Sequence, residues 1–273
     1  MINNRNKTKQ NTKRRRVNAN INRKSPKNLK IIILILLIIV FIYSSYKLFS
    51  WVYDNHKSNS LKNELTQYVK PKNDSNENNI NNNNNINSFS VDFNSLKEIN
   101  KNIIGWITVN NTKISYPVVQ FKNNSYYLNR DFKNNKNSSG AIFLDYKNDI
   151  KNLSKNTVIY GHNRLDESMF GSLKNTLNKN WYENKENKKL YVYTPDSTLE
   201  WEVFSIYKIK NEAYYITTSF TNDYFIKFIE TIKKRSIYDF GVNITVNDKI
   251  LTLSTCYGYN DYQRLVLHAK LVK

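Results

Sequence analysis

Cysteine is nearly absent from this chain of 273 residues: there is one, Cys256. A single cysteine cannot make an intramolecular disulfide, so no staple holds the fold, and the chain is long enough to bury a core of its own. In an exported chain an unpaired cysteine points to a reactive thiol or an intermolecular bond. Histidine is almost as scarce, with only His56, His162 and His268, so imidazole chemistry has few possible sources. Acids are missing altogether from residues 1–30, which carry eleven Lys and Arg. That tail holds most of the formal charge of +20 and leaves about +9 for everything else. The basic balance is therefore a local feature and not the footprint of a nucleic-acid-binding domain. No repeat of fixed period is present. No cluster of acids suggests a cation site, so neither a metal nor another cofactor is expected.

The tail runs directly into thirteen uninterrupted apolar or aromatic residues, 31–43, which soften through Ser44 to Tyr53. With that extension the stretch reaches about 20 residues, enough for a spanning helix. No convincing small-residue cleavage site follows it, and Phe49, Trp51 and Tyr53 suit an interfacial aromatic belt. The cationic flank places residues 1–30 in the cytoplasm, residues 31–53 in the membrane, and everything from about 54 onward outside. Residues 54–72 are polar, with Leu61, Leu65 and Val69 at i, i+4 and i+8, the pattern of a stalk helix ending before Pro71. Of residues 73–87, ten are Asn, with no apolar run to bury. Residues 73–88 thus read as a disordered linker, and residues 89–273 as the folded domain.

Within that domain β-prone runs recur at 103–109, 116–121, 141–145, 157–160, 189–194, 199–209, 250–255 and 265–272. Helical stretches are expected at 92–100 (Phe93, Leu96 and Ile99), from 168 to 178 and beyond, and at 221–235, where Phe225, Phe228, Ile229 and Ile232 form one face. About eight short strands with Asn- and Gly-rich turns and added helices predict a mainly β fold, a closed or nearly closed barrel.

The chemistry-bearing residues sit at strand ends. Cys256 closes the run Leu251-Thr-Leu-Ser-Thr-Cys, and Arg264 opens the next, eight residues later. A neighbouring cation favours the nucleophilic thiolate. His162 ends the run Thr157-Val-Ile-Tyr-Gly-His. A thiolate to attack a carbonyl, an imidazole to move protons and a guanidinium to meet the oxyanion would make an acyl-transfer site. Spacing alone does not bring His162 to Cys256. A free cysteine is as often a small buried hydrophobe, and a lone arginine is more often a surface ion-pair residue.

Thr252-Leu-Ser-Thr-Cys256 with the downstream Arg264-Leu-Val-Leu-His-Ala-Lys resembles the signature of sortases, cysteine transpeptidases of Gram-positive cell surfaces. Tyr160-Gly-His-Asn-Arg-Leu-Asp-Glu-Ser-Met-Phe170 is similar to the histidine segment of class B in particular. Residues 102–107, 114–119 and 126–132 resemble that class's N-terminal region, so the likeness covers roughly 90–273. It implies a sortase-like closed barrel in which Cys256 forms an acyl-thioester with a sorting-signal threonine. His162 would serve as general acid/base and Arg264 would stabilise the oxyanion. It also implies surface-protein substrates with an Asn-Pro-x-Thr-Asn or Pro-x-Thr-Gly type signal, a peptidoglycan amine as acceptor, and a membrane-anchored enzyme. Ser254, two before the cysteine, and Tyr214 or Tyr215 fall where the class carries its substrate groove. His268 shares a strand face with Arg264 by alternation, and its family-matched position is structural. Asp261 is the only acid in the loop between Cys256 and Arg264 and receives no role. Two other readings compete: a hydrolase in which water resolves the acyl-enzyme, and a silent wall- or protein-binding module on a tether. Added amine would change the product of the transpeptidase, and a buried, unreactive thiol would mark the module.

Overall fold

The computed structural model describes residues 27–71, 89–210, 212–257 and 263–273. The basic tail as far as residue 26, the Asn-rich segment 73–88 expected as a linker, and Asp261 lie outside the described residues. The chain divides into two compact units, Met1–Leu48 and Phe49–Lys273. In the first, the described residues form the N-terminal part of a helix, α1 (Lys27–Thr66), and the apolar side chains from Leu29 to Leu48 are exposed. The helix is long and apolar enough to cross a membrane.

The second unit is built around eight strands. In chain order α1 is followed by β1 (Val69–Pro71), β2 (Phe89–Val91), α2 (Phe93–Ile99), β3 (Ile103–Val109), β4 (Ser115–Val119), β5 (Ile142–Leu144) and β6 (Asn156–Tyr160). Then come α3 (Lys179–Glu183), β7 (Lys189–Tyr193), β8 (Thr198–Lys210), α4 (Asn222–Arg235), β9 (Ile250–Tyr257) and β10 (Gln263–Leu271). Strands β3 to β10 close into a barrel in the order β10-β8-β7-β3-β4-β5-β6-β9. The ladders are antiparallel except β4–β5 and β6–β9. Closure leaves no unpaired edge in the barrel.

Each expected β-run became a strand, because alternation sorts the side chains onto two faces. Ile107, Val192, Trp201, Val203, Leu251, Leu253, Leu265 and Leu267 point inward to one buried core. Each fully buried aliphatic side chain of this kind contributes about 1.5–3 kcal/mol. The outer face of β8, β9 and β10 is covered by α4, where Phe225, Phe228, Ile229 and Ile232 pack against Phe204, Tyr207, Ile250 and Val266. The Thr221 hydroxyl caps α4, accepting from the Tyr224 N–H.

Two local expectations differ. The stalk helix ends at Thr66, short of residue 70, and Val69 enters a two-stranded ribbon with Val91. Val69 still packs beside Leu61 and Leu65 on the same apolar cluster as Phe93 and Leu96, so the burial expected of it is reached by a strand. The ribbon itself is only three residues long on each side, too short to show a period. Residues Gly171–Leu177 form a 3-10 helix, and the α-turn starts only at Lys179. Gly171, Asn175 and Thr176 are weak α-formers, and the tighter turn costs little over so short a stretch.

Candidate active site

Two ladders bring the strand ends together. In the parallel β6–β9 pair Tyr160 stands opposite Ser254, and the Gly161 N–H continues the ladder by donating to the Ser254 carbonyl at 3.2 Å. His162 follows two residues after Tyr160, and Cys256 two residues after Ser254. In the antiparallel β9–β10 pair Arg264 is the direct partner of Cys256. Residues 256 and 264 are thus paired, and residue 162 follows the strand that neighbours β9. Because Leu251, Leu253, Leu265 and Leu267 take the interior, alternation assigns positions 252, 254, 264, 266 and 268 to the outer face.

His162 is half-buried, and its Nε2–H donates to the Leu128 carbonyl at 2.7 Å. Its ring lies against Gly140, which has φ +61°. A Cβ there would stand 2.9 Å from His162 Cδ2 and 2.7 Å from the Tyr127 carbonyl oxygen. Only glycine accepts both the left-handed backbone and the close approach. Gly161 is similarly pressed: a Cβ would come within 2.5 Å of Ile142 Cδ1 and 2.7 Å of the Phe170 ring.

These side chains open onto a cleft of about 500 Å³ whose lining includes Leu128, Tyr160, His162, Tyr215, Ser254 and Arg264. The Tyr215 hydroxyl and the Ser254 hydroxyl are hydrogen-bonded at 3.1 Å. Of the two tyrosines expected near the groove, Tyr215 lines it, while Tyr214 packs on Phe228 with ring centroids 5.2 Å apart. The Tyr160 hydroxyl donates to the Asp145 carboxylate at 2.8 Å, which also accepts from the Asn124 amide at 2.8 Å. Burial, followed by the negative charge of Asp145, pushes the Tyr160 phenol far above its ordinary value, so it stays protonated.

His268 is a different object. It is fully buried, between the Tyr207 hydroxyl at 2.9 Å from Nε2 and the Thr252 hydroxyl at 2.8 Å from Nδ1. Burial, then the charge of Arg235, pushes its pKa down to about 3, so it is neutral at any physiological pH. His56 lies on α1, apart from the cleft lining. Among the described residues no group of three or more His, Cys, Asp or Glu could hold a metal ion.

Sequence reasoning missed two members of the site. Leu128 acts through a backbone carbonyl, which leaves no residue-type signal. Tyr160 carried one: it stands two residues before His162, on the same face of a strand by alternation.

The sortase domain family matches residues 107–272. Sortase B of Listeria monocytogenes is 35% identical over 238 residues, covering 85% of this chain and 92% of its own. Sortase B of Staphylococcus aureus is 40% identical over 184 residues, covering 66% and 75%. The chain belongs to the sortase family. Among solved structures, the Staphylococcus aureus sortase B–substrate complex superposes with a TM-score of 0.62 at 38% identity, covering 66% of this chain and 84% of that one. Sortase B of Clostridium perfringens superposes with a TM-score of 0.62 at 34% identity, covering 66% of this chain and 100% of that one. The eight-stranded closed barrel with added helices is thus the class B sortase fold, and this sortase is a transpeptidase by family.

Proposed function

We propose that this sortase is a membrane-anchored cysteine transpeptidase that cleaves a surface-protein sorting signal after threonine and joins the new carboxyl end to a peptidoglycan amine. The observation that supports the reading is the β6–β9–β10 pairing, in which Arg264 pairs with Cys256 on the strand next to the one that His162 follows, with His162 and Arg264 lining one cleft. The Cys256 thiolate attacks the threonine carbonyl carbon, and the carbonyl electrons move to an oxyanion beside the Arg264 guanidinium. The carbon–nitrogen bond to the next residue then breaks, and His162 hands a proton to the leaving amine. An acceptor amine attacks the thioester, gives its proton to His162, and releases the thiolate. With Nε2–H committed to the Leu128 carbonyl, Nδ1 is the nitrogen for this proton traffic. Ser254 and Tyr215 form the wall along which the signal peptide lies, and Tyr214 supports it from behind.

The remaining organisation is part of the same reading. Residues 1–30 form a cytoplasmic tail, 31–53 the membrane anchor, 54–72 a stalk, 73–88 a tether, and 89–273 the extracellular catalytic domain. The apolar, exposed helix and its cationic flank support this topology. Sorting signals of the Asn-Pro-x-Thr-Asn and Pro-x-Thr-Gly types are the substrates to try first.

The test is an intact mass spectrum of the protein after incubation with peptides of both types. A mass gain equal to the peptide cleaved after threonine, absent from Cys256→Ala, is the expected result. An amine then added should convert the adduct into the amide product; release as the free acid regardless of amine would make the enzyme a hydrolase. An unreactive Cys256 thiol with no adduct from any peptide would overturn the enzyme reading.

A further inference from the structure

Beneath the cleft lies a buried polar chain for which the transpeptidase chemistry has no direct use. Asn156, at the start of β6, is fully buried. Its Nδ2 lies 3.1 Å from the Tyr215 carbonyl and 2.9 Å from the Thr217 carbonyl. Carbonyls only accept, so the amide must turn its NH2 toward them and its Oδ1 the other way. Oδ1 meets the Thr252 hydroxyl at 2.7 Å, so Thr252 donates its one proton there. That leaves Thr252 Oγ as an acceptor from His268, 2.8 Å away, and His268 must carry its proton on Nδ1. The Nε2 of a neutral imidazole then accepts, and Tyr207 donates to it across 2.9 Å. Every proton in the chain from Tyr207 through His268 and Thr252 to Asn156 thus has one direction. Reversing the amide would aim an oxygen at two carbonyls.

The far end of this chain is the segment around Tyr214–Ile216, a single 3-10 turn between β8 and α4. Tyr215 and Ile216 from this turn line the cleft beside Ser254 and Arg264. So short a turn has few backbone bonds of its own to hold it. We propose that Asn156 is the positioning residue of this wall: it clamps the 215–217 backbone through two carbonyls, and Thr252 and His268 hold its amide the right way round. Asn156 itself does not line the cleft, so it acts on substrate only through the wall. The inference rests on the reading of this cleft as the peptide site.

Two near-isosteric variants test it. Asn156→Asp replaces the donating NH2 by an oxygen facing two carbonyls, and Thr252→Val removes the hydroxyl that orients the amide; Thr252→Ser restores that hydroxyl. In the full-length protein, Asn156→Asp and Thr252→Val should raise KM for the signal peptide by about tenfold, the scale of a lost buried hydrogen bond. They should leave kcat and the rate of Cys256 alkylation within about twofold, and Thr252→Ser should return KM to the wild-type value. Hydrogen exchange supplies a readout independent of turnover. Amides 214–218 should lose protection in Asn156→Asp while those of β3 and β7 keep theirs. An unchanged KM, or unchanged protection of 214–218 in a folded variant, overturns the clamp. A wild-type protein that turns over no peptide would instead overturn the transpeptidase reading, and the exchange experiment would still decide whether Asn156 holds the wall.

Discussion

The same outer barrel face carries two histidines at its two ends, and their surroundings could hardly differ more. His268, on β10 under α4, is fully buried with both ring nitrogens hydrogen-bonded and its pKa pushed down to about 3. His162, just past β6, is half-buried, has Nε2 held by one backbone carbonyl, and lines a cleft. A histidine sealed with both nitrogens committed cannot change charge near neutrality, so it serves as a fixed joint. Residue type is identical at the two sites; burial and hydrogen-bond partners set them apart.

The comparison breaks most severely at the cleft end. His162→Ala should lower kcat by about 10²–10⁴, the range of general acid–base catalysis, with little change in the thermal midpoint. Single-turnover acylation followed by mass spectrometry measures it; a loss under tenfold would remove His162 from the proton-transfer role. Arg264→Ala should follow, with a kcat loss of about 10²–10³ from the missing oxyanion donors. Arg264→Lys should recover only part of it, because an ammonium lacks the planar fork.

Gly140→Ala probes how the ring is held. The methyl would collide with His162 and the Tyr127 carbonyl at positive φ, costing about 1–3 kcal/mol of stability and displacing the imidazole. We expect roughly tenfold lower kcat together with a lower midpoint in chemical unfolding; a fall in stability alone would mean that the ring does not rest on Gly140.

The sealed end gives the smallest effect at neutral pH and a distinctive one in acid. Folded His268 has its pKa depressed to about 3 from an ordinary 6.5. Between those values the unfolded chain binds a proton that the folded chain does not. The contribution to stability is therefore complete above about pH 6.5 and declines as pH falls toward 3. His268→Gln lacks this titration, so urea midpoints of variant and wild type should converge as the pH is lowered from 7 to 4. A gap that stays constant would show that His268 does not titrate on unfolding.

Much of this was legible before any coordinates. The run 103–109 is rich in β-branched residues and is a strand over those same residues. Phe225, Phe228, Ile229 and Ile232 announced α4 by their spacing, and all four are buried. The misses follow from short range. Val69 looked helical because i, i+4, i+8 spacing with Leu61 and Leu65 is indifferent to where a helix stops, and its strand pairing with Val91 is a contact across more than twenty residues. Choosing Tyr215 over Tyr214 as the wall was beyond local pattern too, since adjacent tyrosines differ only in which one meets Ser254 and which meets Phe228.

By itself the sequence determined the period of the strands, the apolar stretch at 31–43, the single thiol, and the motifs that named a class of chemistry. These are properties of neighbouring residues, governed by side-chain alternation and transfer free energy, and need no fold to be read. Only the tertiary structure decided that Tyr160 stands opposite Ser254, so that the segments carrying His162 and Cys256 run on from neighbouring strands. That depends on a parallel pairing of β6 with β9 whose crossover passes through two further strands and two α-helices. It also set a fully buried, neutral histidine apart from a half-buried one at a cleft, because desolvation and hydrogen-bond partners come from residues distant in the chain.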